Sequence, residues 1–148
     1  MFSKTIIGLV VICSLLGFYP QSIVSQELQI SQMSLPTQIN YFADLYGVDS
    51  RVVSKVIDCE SNGIHESVGD GGRSKGIGQF QEATFLRMEK KLGEDLNYNS
   101  SYDQVKLLTY AISQGWGREW TTYRAIQNGG KYSFYSKQLK KHFTVYCK

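Results

Sequence analysis

The stretch that decides the fold is DSRVVSKVIDCESNG, residues 49–63. Val52, Val53, Val56 and Ile57 recur at helical spacing and predict an amphipathic helix. Asp49 or Ser50 can cap its start, because a short polar side chain accepts a bond from an unpaired first-turn amide. Glu60 falls three residues after Ile57 and four after Val56, so it shares their inward face. An acid at the end of an apolar stripe is partly desolvated. Beyond it, IHESVGDGGRSK (64–75) has turn chemistry, including Asp-Gly-Gly at 70–72. The run GIGQFQ, 76–81, follows.

Working outward, the chain reads as a series of helices. Pro36 suits a first helical turn, with Ile39, Phe42, Ala43 and Tyr46 at helical spacing and Gly47 to close it. A short helix is expected over 84–92, with Phe85, Met88 and Leu92 inside. Ser101 with Gln104 reads as a capping box before VKLLTYAI, and Gly115 ends that helix. Another short helix carries Trp120, Tyr123 and Ala125 and stops at Asn128-Gly129-Gly130. Tyr132, Tyr135, Leu139 and Phe143 trace a last helical stripe. The expected architecture is mainly α within an α+β class. It is one helical domain over 36–148, whose short irregular or β segment at 61–81 forms one wall of a cleft.

The 148 residues are enough for one domain with a real core. At the start, Lys4 precedes the apolar run TIIGLVVICSLLGF and a polar exit. This is the pattern of a secretory signal peptide, residues 1–25, cleaved near Ser25, with 26–35 as a short lead. An uncleaved anchor is the other reading, although the run is short for a membrane span. Export places the mature protein outside the cell or in the envelope. It removes Cys13 and leaves Cys59 and Cys147, which can form one disulfide or remain two buried thiols. Of 16 basic residues Lys4 leaves too, so 15 face 13 acids. Residues 131–148 contain Lys131, Lys137, Lys140, Lys141 and Lys148 and no acid. That tail either leans on an anionic envelope or is a solvated helix face. No basic-aromatic nucleic-acid motif is present, so nucleic acid is not an expected partner.

The chemistry centres on Glu60. Desolvation raises a carboxyl pKa, and a carboxyl that stays protonated near neutral pH can act as general acid on a glycosidic oxygen. Gly76 and Gly78 let backbone approach a bulky ligand. Gln79 offers a donor and an acceptor to sugar amides and hydroxyls, and Phe80 can pack beneath. Trp120 and Tyr123 are groove candidates, since aromatic rings often line sugar sites. Glu66 and Asp70 are the candidates for a second carboxylate. His65 and His142 read as solvent-facing. No His/Cys cluster has metal-ligand spacing, so neither metal nor organic cofactor is expected.

The pairing of Cys-Glu-Ser-Asn-Gly (59–63) with Gly-Ile-Gly-Gln-Phe-Gln (76–81) resembles the lytic transglycosylases of the lysozyme-like superfamily. SYDQVKLLTYAISQG and GREWTTY are similar to the back half of small secreted members. The resemblance covers about residues 37–124. It implies a lysozyme-like domain, monomeric, that cleaves peptidoglycan glycan strands between N-acetylmuramic acid and N-acetylglucosamine and leaves 1,6-anhydro ends. Glu60 would be acid and then base, and Ser61 and Gln79 would contact the N-acetylated sugars. The alternatives are a hydrolytic muramidase and a non-catalytic peptidoglycan-binding module. The chain departs from the family at Ala-Ile-Ser-Gln-Gly (111–115). Many members have Ala-Tyr-Asn-x-Gly there, with the tyrosine assisting the glutamate. Tyr110 and Tyr123 are the candidates to replace it.

Overall fold

The computed structural model describes residues 21–137 and 139–147. The apolar run read as an export signal, with Cys13, and the terminal Lys148 lie outside the described residues. The chain divides into two compact units at Met33/Ser34. The first contains α1 (Gln21–Ser31), whose last turn is tied by the Ser31 hydroxyl donating to the Leu28 carbonyl. The segment expected to be a short lead is thus largely helical. Among the described residues no helix is long and apolar enough to cross a membrane.

The second unit is mixed α+β and mainly helical. Its order is α2 (Leu35–Tyr46), α3 (Ser50–Ser61), β1 (Val68–Gly69), a 3₁₀ turn at Asp70–Gly72, β2 (Ser74–Lys75), β3 (Phe80–Gln81), α4 (Glu82–Leu92), α5 (Ser101–Ser113), a 3₁₀ turn at Trp116–Glu119, α6 (Thr121–Gln127), β4 (Lys131–Ser136) and β5 (Lys141–Tyr146). β1, β2 and β3 form a small antiparallel sheet, and β4 and β5 a separate hairpin. Pro36 stands in the first turn of α2, and Gly47 closes it in the left-handed conformation, φ 67°. Asp49 caps α3 by accepting from the Arg51 amide at 2.9 Å.

Helix α5 is the hub. Gln104 to Thr109, Ala111 and Ile112 are all buried, and α2, α3 and α4 pack around it. Val53, Val56 and Ile57 of α3 are fully buried, as are Phe42, Phe85, Met88, Leu107 and Leu108. Each such side chain is worth about 1.5–3 kcal/mol of burial. The expected capping box is displaced by one residue. Ser100 is the cap, accepting from the Asp103 amide, while Gln104 is turned into the core.

The last expected helix is instead the β4–β5 hairpin. Tyr132 pairs with Val145 and Phe134 with Phe143, and these four are half-buried on one face. Tyr135 and Leu139, taken as part of an inward stripe, are exposed. Gly129 and Gly130 break α6 at positive φ. The segments KYSFYS and KHFTVY then alternate with period two and are rich in aromatic and β-branched residues, which suits a pleated, half-buried surface. The lysine-rich tail is therefore a hairpin, not a solvated helix.

Cys59 and Cys147 form a disulfide, Cα–Cα 5.8 Å. It ties the last turn of α3 to the end of β5. The Cys147 amide also donates to the Gly130 carbonyl at 2.9 Å, which fixes the base of the hairpin.

Candidate active site

Glu60 is in the last turn of α3. The helix stops one residue later because Asn62 adopts the left-handed conformation (φ 52°) and its amide returns to the Asp58 carbonyl. The Glu60 carboxyl opens into a cleft of about 420 Å³. One wall is the small sheet and its turns, with Gly69, Asp70, Ser74, Gln79, Phe80 and Gln81. The other carries Glu119, Trp120, Thr121 and Phe134, from the turn before α6, α6 itself and β4. The irregular segment thus forms a wall, as its turn chemistry suggested.

The carboxyl accepts a hydrogen bond from the Thr122 hydroxyl at 2.5 Å. Burial pushes its pKa up from the ordinary 4.5. The Thr122 bond opposes this by stabilising the ionised form, and the charge of Asp70 pushes it up again. The net direction is upward, towards a carboxyl that keeps its proton at higher pH. Thr122 was not singled out from sequence. Its signal was the adjacent threonine pair in WTTY, where a helix start next to two aromatics points one hydroxyl inward.

Asp70 shares the cleft. It sits at φ 51°, and the Ser74 hydroxyl donates to its carboxylate at 2.6 Å. Glu66, the other candidate second carboxylate, is in a separate hollow with His65. Glu119 also lines the cleft and pairs with Arg87 at 3.4 Å on the exposed side. No lysine or arginine lines it.

The remaining expected site residues divide. Phe80 and Trp120 are at the cleft but buried, 1% and 6% exposed. Their rings meet edge to face, and the Trp120 indole donates to the Gly78 carbonyl at 2.8 Å. They are its floor and brace. Gln79 lines the cleft at φ 48°, a left-handed conformation that costs a residue with a side chain about 1–2 kcal/mol. Its amide nitrogen offsets that by donating to the Ser67 and Gly76 carbonyls at 3.0 and 2.9 Å. Ser61 does not face the cleft. It is buried, donates to the Ile77 carbonyl at 2.8 Å and accepts from the Gly63 amide, so it ties α3 to the loop. Tyr123 faces a different hollow, with Arg118, Arg124 and Tyr132. Tyr110 packs on Tyr46 and Trp116 and donates to the Lys91 carbonyl. Neither tyrosine is placed at Glu60; Thr122 is.

The glycines play another part than expected. A Cβ on Gly76 would be 2.3 Å from the Gln104 amide nitrogen, and one on Gly78 2.7 Å from the Phe80 ring. What approaches these backbones is the protein's own side chains. Gln104 accepts from the Gly78 amide at 3.0 Å and donates to the carbonyls of Tyr98 at 2.7 Å and Lys75 at 3.3 Å. One buried amide on the hub helix thus fixes the loop that forms the cleft wall.

Among the described residues no group of three or more His, Cys, Asp and Glu side chains is placed to hold a metal ion. No family model, curated protein or solved structure matches the chain, so a functional reading has to come from the cleft's own chemistry.

Proposed function

We propose that the protein is a secreted, lysozyme-like peptidoglycan glycosidase with Glu60 as its general acid. It cleaves the β-1,4 bond between N-acetylmuramic acid and N-acetylglucosamine. The observation that carries this reading is the state of Glu60: half-buried at the end of α3, raised in pKa by desolvation, and open to a polar cleft with an aromatic floor. The disulfide fits an oxidising compartment.

In the reaction the Glu60 O–H protonates the glycosidic oxygen and the C1–O bond breaks. The N-acetyl group of the muramic acid stabilises the cationic carbon. Glu60, now a carboxylate, takes the proton of the same sugar's C6 hydroxyl, and O6 closes onto C1. The product is a 1,6-anhydro ring, and no water is consumed. Attack within one sugar has a high effective concentration.

A second reading rests on one observation. Asp70 lies in the same cleft and acts electrostatically on Glu60. Of the two candidates for a second carboxylate, Glu66 and Asp70, it is Asp70 that lines the cleft with Glu60. Paired carboxylates are the equipment of a hydrolase, one to protonate and one to activate water or attack the sugar.

Digestion of purified sacculi in ¹⁸O-water separates the two routes. Unlabelled anhydromuropeptides, with Asp70→Asn retaining most activity, match the first. Labelled reducing ends, with Asp70→Asn losing about 10²-fold or more, match the second. Glu60→Gln is expected to lose about 10²–10⁴-fold in either. Near-full lysis by that variant would overturn both.

A further inference from the structure

Beside the cleft is a second hollow of about 520 Å³, lined by Arg118, Tyr123, Arg124, Gln127, Asn128 and Tyr132. Its lining contains two guanidinium groups and no acid, the reverse of the acid-lined cleft. The two share a wall on β4. The Tyr132 and Phe134 rings stack 5.9 Å apart; Tyr132 faces the hollow and Phe134 the cleft. They are two positions apart on the strand, about 7 Å.

The hollow is built, not incidental. Arg124 donates through Nε to the Arg118 carbonyl at 2.7 Å and through Nη1 to the Tyr132 hydroxyl at 2.8 Å. Its guanidinium lies over the Tyr132 ring, 5.4 Å from the centroid. It is held in one orientation with donors to spare. The Arg118 side chain is exposed and has neither ion pair nor hydrogen bond among the described residues. Two arginines, one braced and one free, with no neutralising carboxylate in the lining, suit a planar anion.

We propose that this hollow is a second binding site, and that it takes a carboxylate of the peptide carried by the glycan strand whose sugars lie in the cleft. The inference rests on the proposed function. A strand of uncharged sugars in the acid-lined cleft would project its charged substituent about 7 Å away, where the arginines are.

The test uses Glu60→Gln protein, which binds without cutting, with and without Arg118→Gln. The substitution keeps the Arg118 carbonyl that Arg124 bonds, and unchanged circular dichroism is the control. Cosedimentation is measured on intact sacculi, on glycan stripped of peptide with an amidase, and on sacculi freed of phosphate polymers with hydrofluoric acid. The expected result is a salt-sensitive, roughly 3- to 10-fold weakening by Arg118→Gln on intact and acid-treated sacculi. The difference should vanish on peptide-free glycan. An equal weakening on peptide-free glycan, no weakening on any material, or a difference abolished by acid treatment would overturn the proposal, the last by assigning the site to phosphate. Wild-type protein that releases no sugar would instead remove the reading of the cleft, while Arg118-dependent binding is scored separately in the same tubes.

Discussion

Burial and Thr122 act on the Glu60 carboxyl in opposite senses, and the balance sets where it titrates. Thr122→Val removes the bond that favours the ionised form, so the pKa moves further up. The basic limb of the pH–activity profile should then shift to higher pH, while the acidic limb stays. A profile that does not move would show that the hydroxyl has no hold on the acid. The same group makes stability pH-dependent. Its folded pKa is above the ordinary 4.5, so the folded protein binds this proton more tightly than the unfolded chain. Its contribution is full below pH 4.5 and is lost as pH rises to the raised value. The loss is about 1.4 kcal/mol for each unit between the two. Glu60→Gln abolishes that loss. The melting temperature of the variant relative to wild type should climb across the interval and level off above it, as read by calorimetry at a series of pH values.

At the scale of elements, the cleft wall depends on Gln104. Gln104→Leu would leave the Gly78 amide and the Tyr98 and Lys75 carbonyls without their side-chain partner. Each buried polar group so abandoned costs about 1–3 kcal/mol. Urea denaturation should show a loss of about 3 kcal/mol or more, together with loss of activity, though Gln104 itself does not line the cleft. Gly76→Ala attacks the same contact from the other side, by collision with the Gln104 amide at a backbone φ of 77°. The sequence disclosed Gln104 only as a capping residue, because Ser-x-x-Gln is a local pattern, whereas its loop partners Gly78 and Lys75 lie 26 and 29 residues away. Local signals were reliable where local forces decide: Asp49 capping α3, Gly47 closing α2, and the inward face of Val53, Val56 and Ile57. They failed at 131–146. There Tyr132, Tyr135 and Phe143 fit a helical period, and the pairing of Tyr132 with Val145 is a long-range choice. Glu60 and its cleft were legible because α3 aims the acid by its own period. Thr122 was not, and Asp70 could be named only alongside Glu66, since Thr122 and Asp70 each reach Glu60 only when separate elements close around it.

For the whole second unit, the dominant single constraint is the Cys59–Cys147 bridge, whose ends are 88 positions apart in sequence. On the chain-entropy account, closing a loop of that length stabilises the fold by about 4–5 kcal/mol, as an upper figure. Cys147→Ser should lower the unfolding free energy measured by urea denaturation by an amount approaching this. It should also lower activity, because the cysteine next to Glu60 loses its anchor to the hairpin.

The bridge also makes most of the protein a covalent ring. The cleft wall, α4, α5, α6 and the hairpin all lie between Cys59 and Cys147. A protease that cuts any exposed turn there, such as Gly71-Gly72 or Asn128-Gly129, opens the ring without releasing a fragment. The nicked molecule gains one water in mass and stays in one piece. It should migrate as a single species on a gel without reductant and fall into two bands with it. A first cut in the ring is then a scar and not a loss of parts.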